Sequence, residues 1–211
     1  ESREWKEADC PVDVRPTVID EAALKTALNE AAKIEGTQAR VSRASGITPD
    51  RLRDWRWSRK AVRLRPDEDA ILLAPAAVAP SCPVVAALKL WEWQVVQPAA
   101  QRIYGQPVRS IRHFGSYSCR RLYGRSQGDF SEHATADAID IAAFQLKDGR
   151  QISVLGDWKG EGKDAFFLRE VRDGACDLFS TVLSPDYNAA HKDHFHLDQA
   201  ERGAMGGRAC R

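Results

Sequence analysis

Apolar side chains recur at helical spacing in three stretches of this chain and alternate with polar ones in several others. Ala22, Leu24, Leu28, Ala31 and Ala32 form a stripe that predicts a helix over residues 21–34, with Asp20 as its cap. Ser81-Cys82-Pro83 opens a second helix, a hydroxyl cap followed by proline in the first turn. Val84, Val85, Leu88, Trp91, Val95 and Val96 supply its apolar face. Pro98 is expected to kink or end that helix and Gly105 to close the segment. Phe167, Leu168, Val171 and Leu178 mark a third helix over residues 164–179.

Alternation predicts a strand over residues 108–114, and strands are also expected over 138–146 and 151–155, these two joined by an Asp148-Gly149 hairpin turn. Short strands are expected near 62–64 and 71–73, and a last strand over 195–197. Residues 115–130, with Gly115, Gly124 and Gly128, read as a loop, and 184–188 as a turn. Residues 157–162 read as a plain polar turn, since their spacing is wrong for a calcium loop. Together these elements predict an α+β fold: an antiparallel sheet with helices packed on one side over residues 80–211, and an irregular N-terminal extension over 1–79.

Charge alters this picture little. The chain has 31 Lys and Arg against 30 Asp and Glu, so no nucleic-acid partner is expected. Arg51, Arg53, Arg56, Arg59, Lys60, Arg63 and Arg65 read as a solvated basic surface, and the Trp91 and Trp93 pair as packing. No apolar run reaches the length of about 18 residues that a membrane helix needs; the longest, over residues 70–79, is broken by Pro75. The chain begins at Glu1 with no visible signal peptide, which reads as a processed or trimmed chain.

The cysteines point to an oxidising compartment. Cys10, Cys82, Cys119, Cys176 and Cys210 are widely spaced and form no C-x-x-C pair, which suits disulfides and a periplasmic or otherwise exported location. Spacing suggests Cys119 with Cys176 and Cys82 with Cys210, leaving Cys10 over, although sequence does not fix connectivity.

The chemistry lies in the histidines. Four of five fall in two short stretches, Ser131-Glu132-His133-Ala134-Thr135-Ala136-Asp137-Ala138-Ile139-Asp140 and His191-Lys192-Asp193-His194-Phe195-His196. His113 stands apart and reads as a buried, satisfied polar group. On a strand, residues two apart share a face roughly 6.6 Å from Cα to Cα, so His194 and His196 would face one cleft. His133, Asp140 and His196 make a three-ligand set that leaves a fourth position for water, the open shell of a catalytic zinc ion rather than the cysteine-rich shell of a structural one. Bound there, zinc would lower the pKa of that water to about 7. His194 and Asp193 are both in reach as the base that takes its proton.

Ser131-x-His133-x-x-Ala136-x-Ala138-x-Asp140 resembles the S-x-H-x-x-G-x-A-x-D motif of the LAS metallopeptidases, and His194-x-His196 resembles their H-x-H. That superfamily takes in lysostaphin-type endopeptidases, D-alanyl-D-alanine peptidases and the hedgehog signalling domain. Phe114-Gly115-Ser116-Tyr117-Ser118-Cys119-Arg120, residues 131–143, 184–191 and His194-Phe195-His196 are most similar to the bacterial extensin-like C-terminal domain family. The resemblance implies one zinc ion held by His133, Asp140 and His196 in an antiparallel sheet of the LAS type. It makes His194 the general base, with His191 placed to orient it as in the murein endopeptidase branch. In the dipeptidase branch the base position corresponds to Asp193. Arg120, following Tyr117, would bind a substrate carboxylate or the developing oxyanion, with Arg121 and Arg125 as competitors. Ser131 and Tyr117 would contact substrate or the metal shell. Ala136 stands where the motif has glycine, so a positive φ there would be strained. The activity implied is zinc-dependent hydrolysis of peptidoglycan, foremost of D-Ala-meso-diaminopimelate crosslinks and second of stem-peptide ends by D,D-carboxypeptidase action. The rival reading is a non-catalytic, zinc-containing cell-wall binding module.

Overall fold

A computed structural model describes residues 17–20, 22, 62–65, 70–200 and 208–211. The helix expected over 21–34 lies, apart from Ala22, outside the described residues, as does most of the Arg- and Trp-rich stretch. Strand β1 (Thr17–Asp20) pairs in parallel with β2 (Val62–Arg65).

The other described elements build a mixed α/β fold on an open, mostly antiparallel sheet. They are β3 (Leu72–Ala74), α1 (Cys82–Trp91), a π-helical turn (Glu92–Val96), α2 (Gln97–Tyr104) and β4 (Val108–Gly115). Then come β5 (Ala138–Leu146), β6 (Gln151–Ser153), α3 (Val154–Asp157), α4 (Lys163–Ala175), β7 (Thr181–Leu183), β8 (Phe195–Asp198) and β9 (Ala209–Cys210). The seven strands run β3-β4-β5-β8-β7-β9, with β6 also on β5. Within this sheet, among the described residues, only β3–β4 and β7–β9 pair in parallel.

The start of α1 is as its residues predict: the Ser81 hydroxyl accepts from the Val84 N–H at 3.5 Å, with proline in the first turn. Pro98 marks an interruption of the α-helical pattern, as expected. It has no N–H to donate, and its ring would strike the carbonyl four residues back. The π-helical turn just before it widens the backbone and absorbs both problems, so the helix continues to Tyr104. Gly105, at φ 71°, then closes it.

Strand β5 carries the fold's decisive irregularity. Arg112 of β4 faces Ala143 and His113 faces Ile141, so Ala142 is an extra residue, a bulge. Ile139 and Ile141 precede it; Phe144 and Leu146 follow it; all four are buried in one core. Phe144 lies between Trp91 of α1 (ring centroids 5.8 Å) and Phe167 of α4 (5.2 Å), which sets both helices on the same side of the sheet. Phe195 and Leu197 of β8 join that core, and Trp158 packs edge-on against Phe195 at 5.4 Å. Asp140 and His196, which alternate with these apolar residues, therefore point from the opposite face.

Three boundaries move. The expected strand over 151–155 stops at Ser153, because the Ser153 hydroxyl accepts from the Gly156 N–H at 3.0 Å and caps α3. The third helix spans Lys163–Ala175 rather than 164–179. The strand over Phe195–Asp198 is not the last, since β9 follows it and lies along β7.

The cysteine pairing is also corrected. Cys176, just past α4, is bonded to Cys210 of β9 with Cα atoms 5.7 Å apart. The parallel pairing of β9 with β7 brings Cys210 to that helix end. Cys82 is a buried free thiol in α1, and burial pushes its pKa up to about 12. Cys119 is disulfide-bonded, to a partner outside the described residues. Neither Cys119–Cys176 nor Cys82–Cys210 forms. Intact mass of the unreduced chain should fall short of the reduced mass by the four hydrogens of two disulfides; equal masses would refute the pairing.

Gly174 of α4 sits against Val95 of the π-helical turn, and a Cβ at 174 would collide with that β-branched side chain. Helix propensity alone favours Ala over Gly by about 1 kcal/mol. Overpacking outweighs it here, so Gly174→Ala should lower stability by about 1–3 kcal/mol in denaturant titration.

Candidate metal centre

His133 is placed by a tight local structure. It lies in the 3-10 turn Glu132–Thr135, where the Ser131 hydroxyl accepts from the His133 N–H at 3.4 Å. The turn ends on Ala136, at φ 58° and ψ 18°, which is the left-handed conformation that glycine favours. The contacts that hold it there are specific. The Ala136 carbonyl accepts from the Ser81 N–H at 2.7 Å and from the Ser116 hydroxyl at 3.2 Å. The Ser81 hydroxyl also bonds Asp137. The chain then enters β5, where Asp140 stands directly across from His196 of β8.

These three side chains converge. His133 Nε2 lies 3.1 Å from Asp140 Oδ1 and 3.1 Å from His196 Nδ1, and His196 Nδ1 lies 3.0 Å from the same Asp140 oxygen. Among the described residues they are a group able to hold a metal ion.

The outer hydrogen bonds decide what the inner atoms are. His133 Nδ1 is 2.6 Å from the Ser116 carbonyl, which can only accept, so Nδ1 carries the proton and Nε2 presents a lone pair. His196 Nε2 is 2.9 Å from the Asp198 carboxylate, so Nε2 carries the proton and Nδ1 presents a lone pair. With the Asp140 carboxylate, three electron pairs face one another without a donor. A cation relieves that arrangement. Ligand atoms bound tetrahedrally at about 2.0–2.1 Å sit about 3.3 Å apart, close to the observed triangle, so the residues fit a zinc-sized ion.

The electrostatics say the same. Burial works against the Asp140 carboxylate, but hydrogen bonds and charge from His133 and His196 outweigh it and hold the carboxyl far below its usual range. Burial likewise opposes a proton on His196, yet Asp140 and Asp198 outweigh it and lift its pKa to about 9. The triangle is a place for positive charge, and a proton takes that place when no cation does.

His194 lies beside the triangle, its Nε2 3.6 Å from Asp140 Oδ1. Its Nδ1 donates to the Asp193 carboxylate at 2.8 Å, which leaves Nε2 as a lone pair on the side of the metal ligands. The two residues that sequence offers as alternative bases are thus one hydrogen-bonded unit. His191 packs its ring against His194 at 5.3 Å but donates to Asn188 Oδ1 at 2.8 Å, not to His194. Burial, then the charges of His194 and His196 and that of Arg120, push His191 down to a pKa of about 4.

The remaining candidates fall around this core. The charge of Arg120 reaches His191, and its peptide carbonyl accepts from the Ser131 N–H at 3.0 Å. Arg121 donates to the Gly128 carbonyl and covers the Phe130 ring at 4.3 Å. Arg125 lies 5.5 Å from the Tyr123 ring. Tyr117 is half-buried in the segment after β4, and Ser131 is buried under the His133 turn. His113 lies away from the group: buried, with Nε2 donating to the Pro75 carbonyl at 2.7 Å, and its pKa is lowered by burial. Sequence reasoning passed over Asp198, although His194, His196 and Asp198 continue one period-two series. It also passed over the Ser116 carbonyl, which no side-chain pattern could have revealed.

No curated protein and no solved structure matches the chain. The family described as extensin-like protein C-terminus matches residues 32–211, beginning well upstream of the histidine motifs. With that match spanning most of its length, the chain belongs to the extensin-like protein C-terminus family.

Proposed function

We propose that this protein is a zinc-dependent hydrolase of peptidoglycan peptides, acting outside the cytoplasm, foremost as an endopeptidase on D-Ala-meso-diaminopimelate crosslinks. The observation that carries the reading is the triangle of three inward lone pairs with a fourth, His194 Nε2, beside it. Membership of the LAS superfamily is part of the proposal and rests on the S-x-H-x-x-A-x-A-x-D and H-x-H residues. Of the described residues, no helix is long and apolar enough to cross a membrane.

His133 Nε2, Asp140 Oδ1 and His196 Nδ1 would hold the ion. When bound, zinc supplies a Lewis acid for the scissile carbonyl and makes a nearby water acidic. The protein supplies the proton traffic. His194 Nε2 accepts the proton of the attacking water, and the Asp193 carboxylate, bonded to Nδ1, stabilises the imidazolium that results. His194 Nε2 then returns the proton to the leaving amine nitrogen as the peptide bond breaks. Arg120, whose charge reaches His191, adds positive charge suited to the oxyanion or to a carboxylate of the stem peptide. Asp198 and the Ser116 carbonyl keep both ligand imidazoles in the tautomer that presents a lone pair.

Purified sacculi digested with the protein should release crosslink-derived muropeptides; chelation and His194→Ala should each reduce release by at least about 100-fold. Identical muropeptide profiles in all three samples would overturn the hydrolase reading, and zinc-dependent retention on sacculi without cutting would support the binding-module rival. Metal affinity should follow pH in a defined direction. A His196 pKa raised to about 9 means that a proton competes for Nδ1 below that pH. Affinity measured by chelator competition should therefore weaken by about tenfold per pH unit on descending from about pH 9, and an affinity flat from pH 9 to 6 would count against His196 as a ligand.

A further inference from the structure

We propose that Phe114, Tyr187 and Tyr123 form an aromatic platform beside the metal centre on which the pyranose rings of a glycan stack. The substrate is then gripped by its sugar strand as well as its peptide. The identity of the polymer rests on the peptidoglycan reading above; the platform rests on its own geometry.

Rings run in an unbroken row past the site. Phe114 packs edge-on with His194 at 5.7 Å, His194 lies 5.3 Å from His191, and His191 meets Tyr187 at 5.4 Å. Tyr187 in turn neighbours Tyr123, whose hydroxyl pKa it raises. The inner members are the histidines. The three outer rings stay open to solvent: Phe114 is 57% exposed, Tyr123 60% and Tyr187 41%. Large apolar surface left open beside a reactive group marks a binding surface.

Backbone irregularities present two of these rings. His113 faces Ile141 and Gly115 faces Asp140, so Phe114 is the extra residue of a bulge beside a metal ligand. Tyr123 holds φ 56°; among the described residues only it and Ala136 are non-glycine residues in the left-handed region. For a bulky residue that conformation is strained, and such strain gathers at ligand clamps.

The sheet narrows the choice of ligand. At Asp140, β5 is flanked by β4 and β8; at His196, β8 is flanked by β5 and β7. A substrate backbone cannot add as a strand at these ligands, so side chains must do the gripping. Exposed rings with polar groups at their margin suit a pyranose, whose C–H face is apolar and whose hydroxyls ring its edge. Tyrosine hydroxyls, Asn188 and the Arg125 guanidinium, 5.5 Å from the Tyr123 ring, supply that margin.

The test is binding, independent of bond cleavage. Chitotetraose, a soluble N-acetylglucosamine oligomer, is titrated into the whole chain by calorimetry, with melting temperatures confirming that each variant folds. Saturable binding is expected, weakened at least about tenfold by Phe114→Ala and by Tyr187→Ala, while Tyr187→Phe, which keeps the ring, stays within about threefold. Leu155→Ala and Phe166→Ala, exposed apolar positions on α3 and α4, serve as controls and should bind normally. No binding, equal binding by all variants, or tighter binding of a glycan-free stem peptide than of the oligosaccharide would each overturn the platform. Ring-dependent sugar binding by a protein that leaves sacculi uncut would uphold the platform and sink the hydrolase; cutting without sugar binding would do the reverse.

Discussion

Two hydrogen bonds that point away from the centre govern what the centre is. The Ser116 carbonyl takes the Nδ1 proton of His133, and the Asp198 carboxylate takes the Nε2 proton of His196. Each leaves a bare nitrogen aimed at the Asp140 carboxylate. A neutral protein would not gather three lone pairs within about hydrogen-bonding distance without something positive among them, because each repels the others in a poorly solvated space. The lifted His196 and depressed Asp140 pKa values are two expressions of that single demand for charge.

Much of the local structure serves to bring these donors together. His133 comes from a one-turn helix, Asp140 from a strand, and His196 from the strand paired with it. The short path from His133 to Asp140 has to reverse direction and enter the sheet, and Ala136 does this at a backbone angle alanine accepts only under constraint. Ser81 and Ser116 provide the constraint by binding the Ala136 carbonyl, with Ser81 also tying Asp137. Because Ser81 is also the cap of α1, the helix layer and the loop carrying His133 share one residue.

Sequence made some of this visible and hid the rest for identifiable reasons. The span of β5 was legible because its apolar run ends on the Asp148-Gly149 turn signal. The histidine and aspartate set was legible because the ligands fall in compact motifs, and the structure brings the same three together. The Asp193–His194 pair was not legible as a pair: sequence shows two candidate bases, and only the side-chain geometry shows one bonded to the other. The continuation of the helix through Pro98 was hidden because a π-helical turn has no residue signature of its own. The cysteines misled because spacing says nothing of which strand lies beside which, and the β7–β9 pairing that joins Cys176 to Cys210 spans a long return of the chain.

The bulge at Ala142 divides β5 into two segments with opposite alternation. Before it, even-numbered residues lie on the face of the His133–Asp140–His196 group; after it, even-numbered residues face the helices. This strand therefore tolerates a change of residue far better than a change of length. Removing the extra residue at 142 would leave a regular strand with Asp140 on one face and Phe144 and Leu146 on the other, whereas one residue inserted elsewhere in the strand, with no second bulge to absorb it, would turn one segment's side chains to the wrong face. In lineages carrying this arrangement, changes of length within the nine residues of β5 should be confined to the bulge at 142 even where substitutions are common.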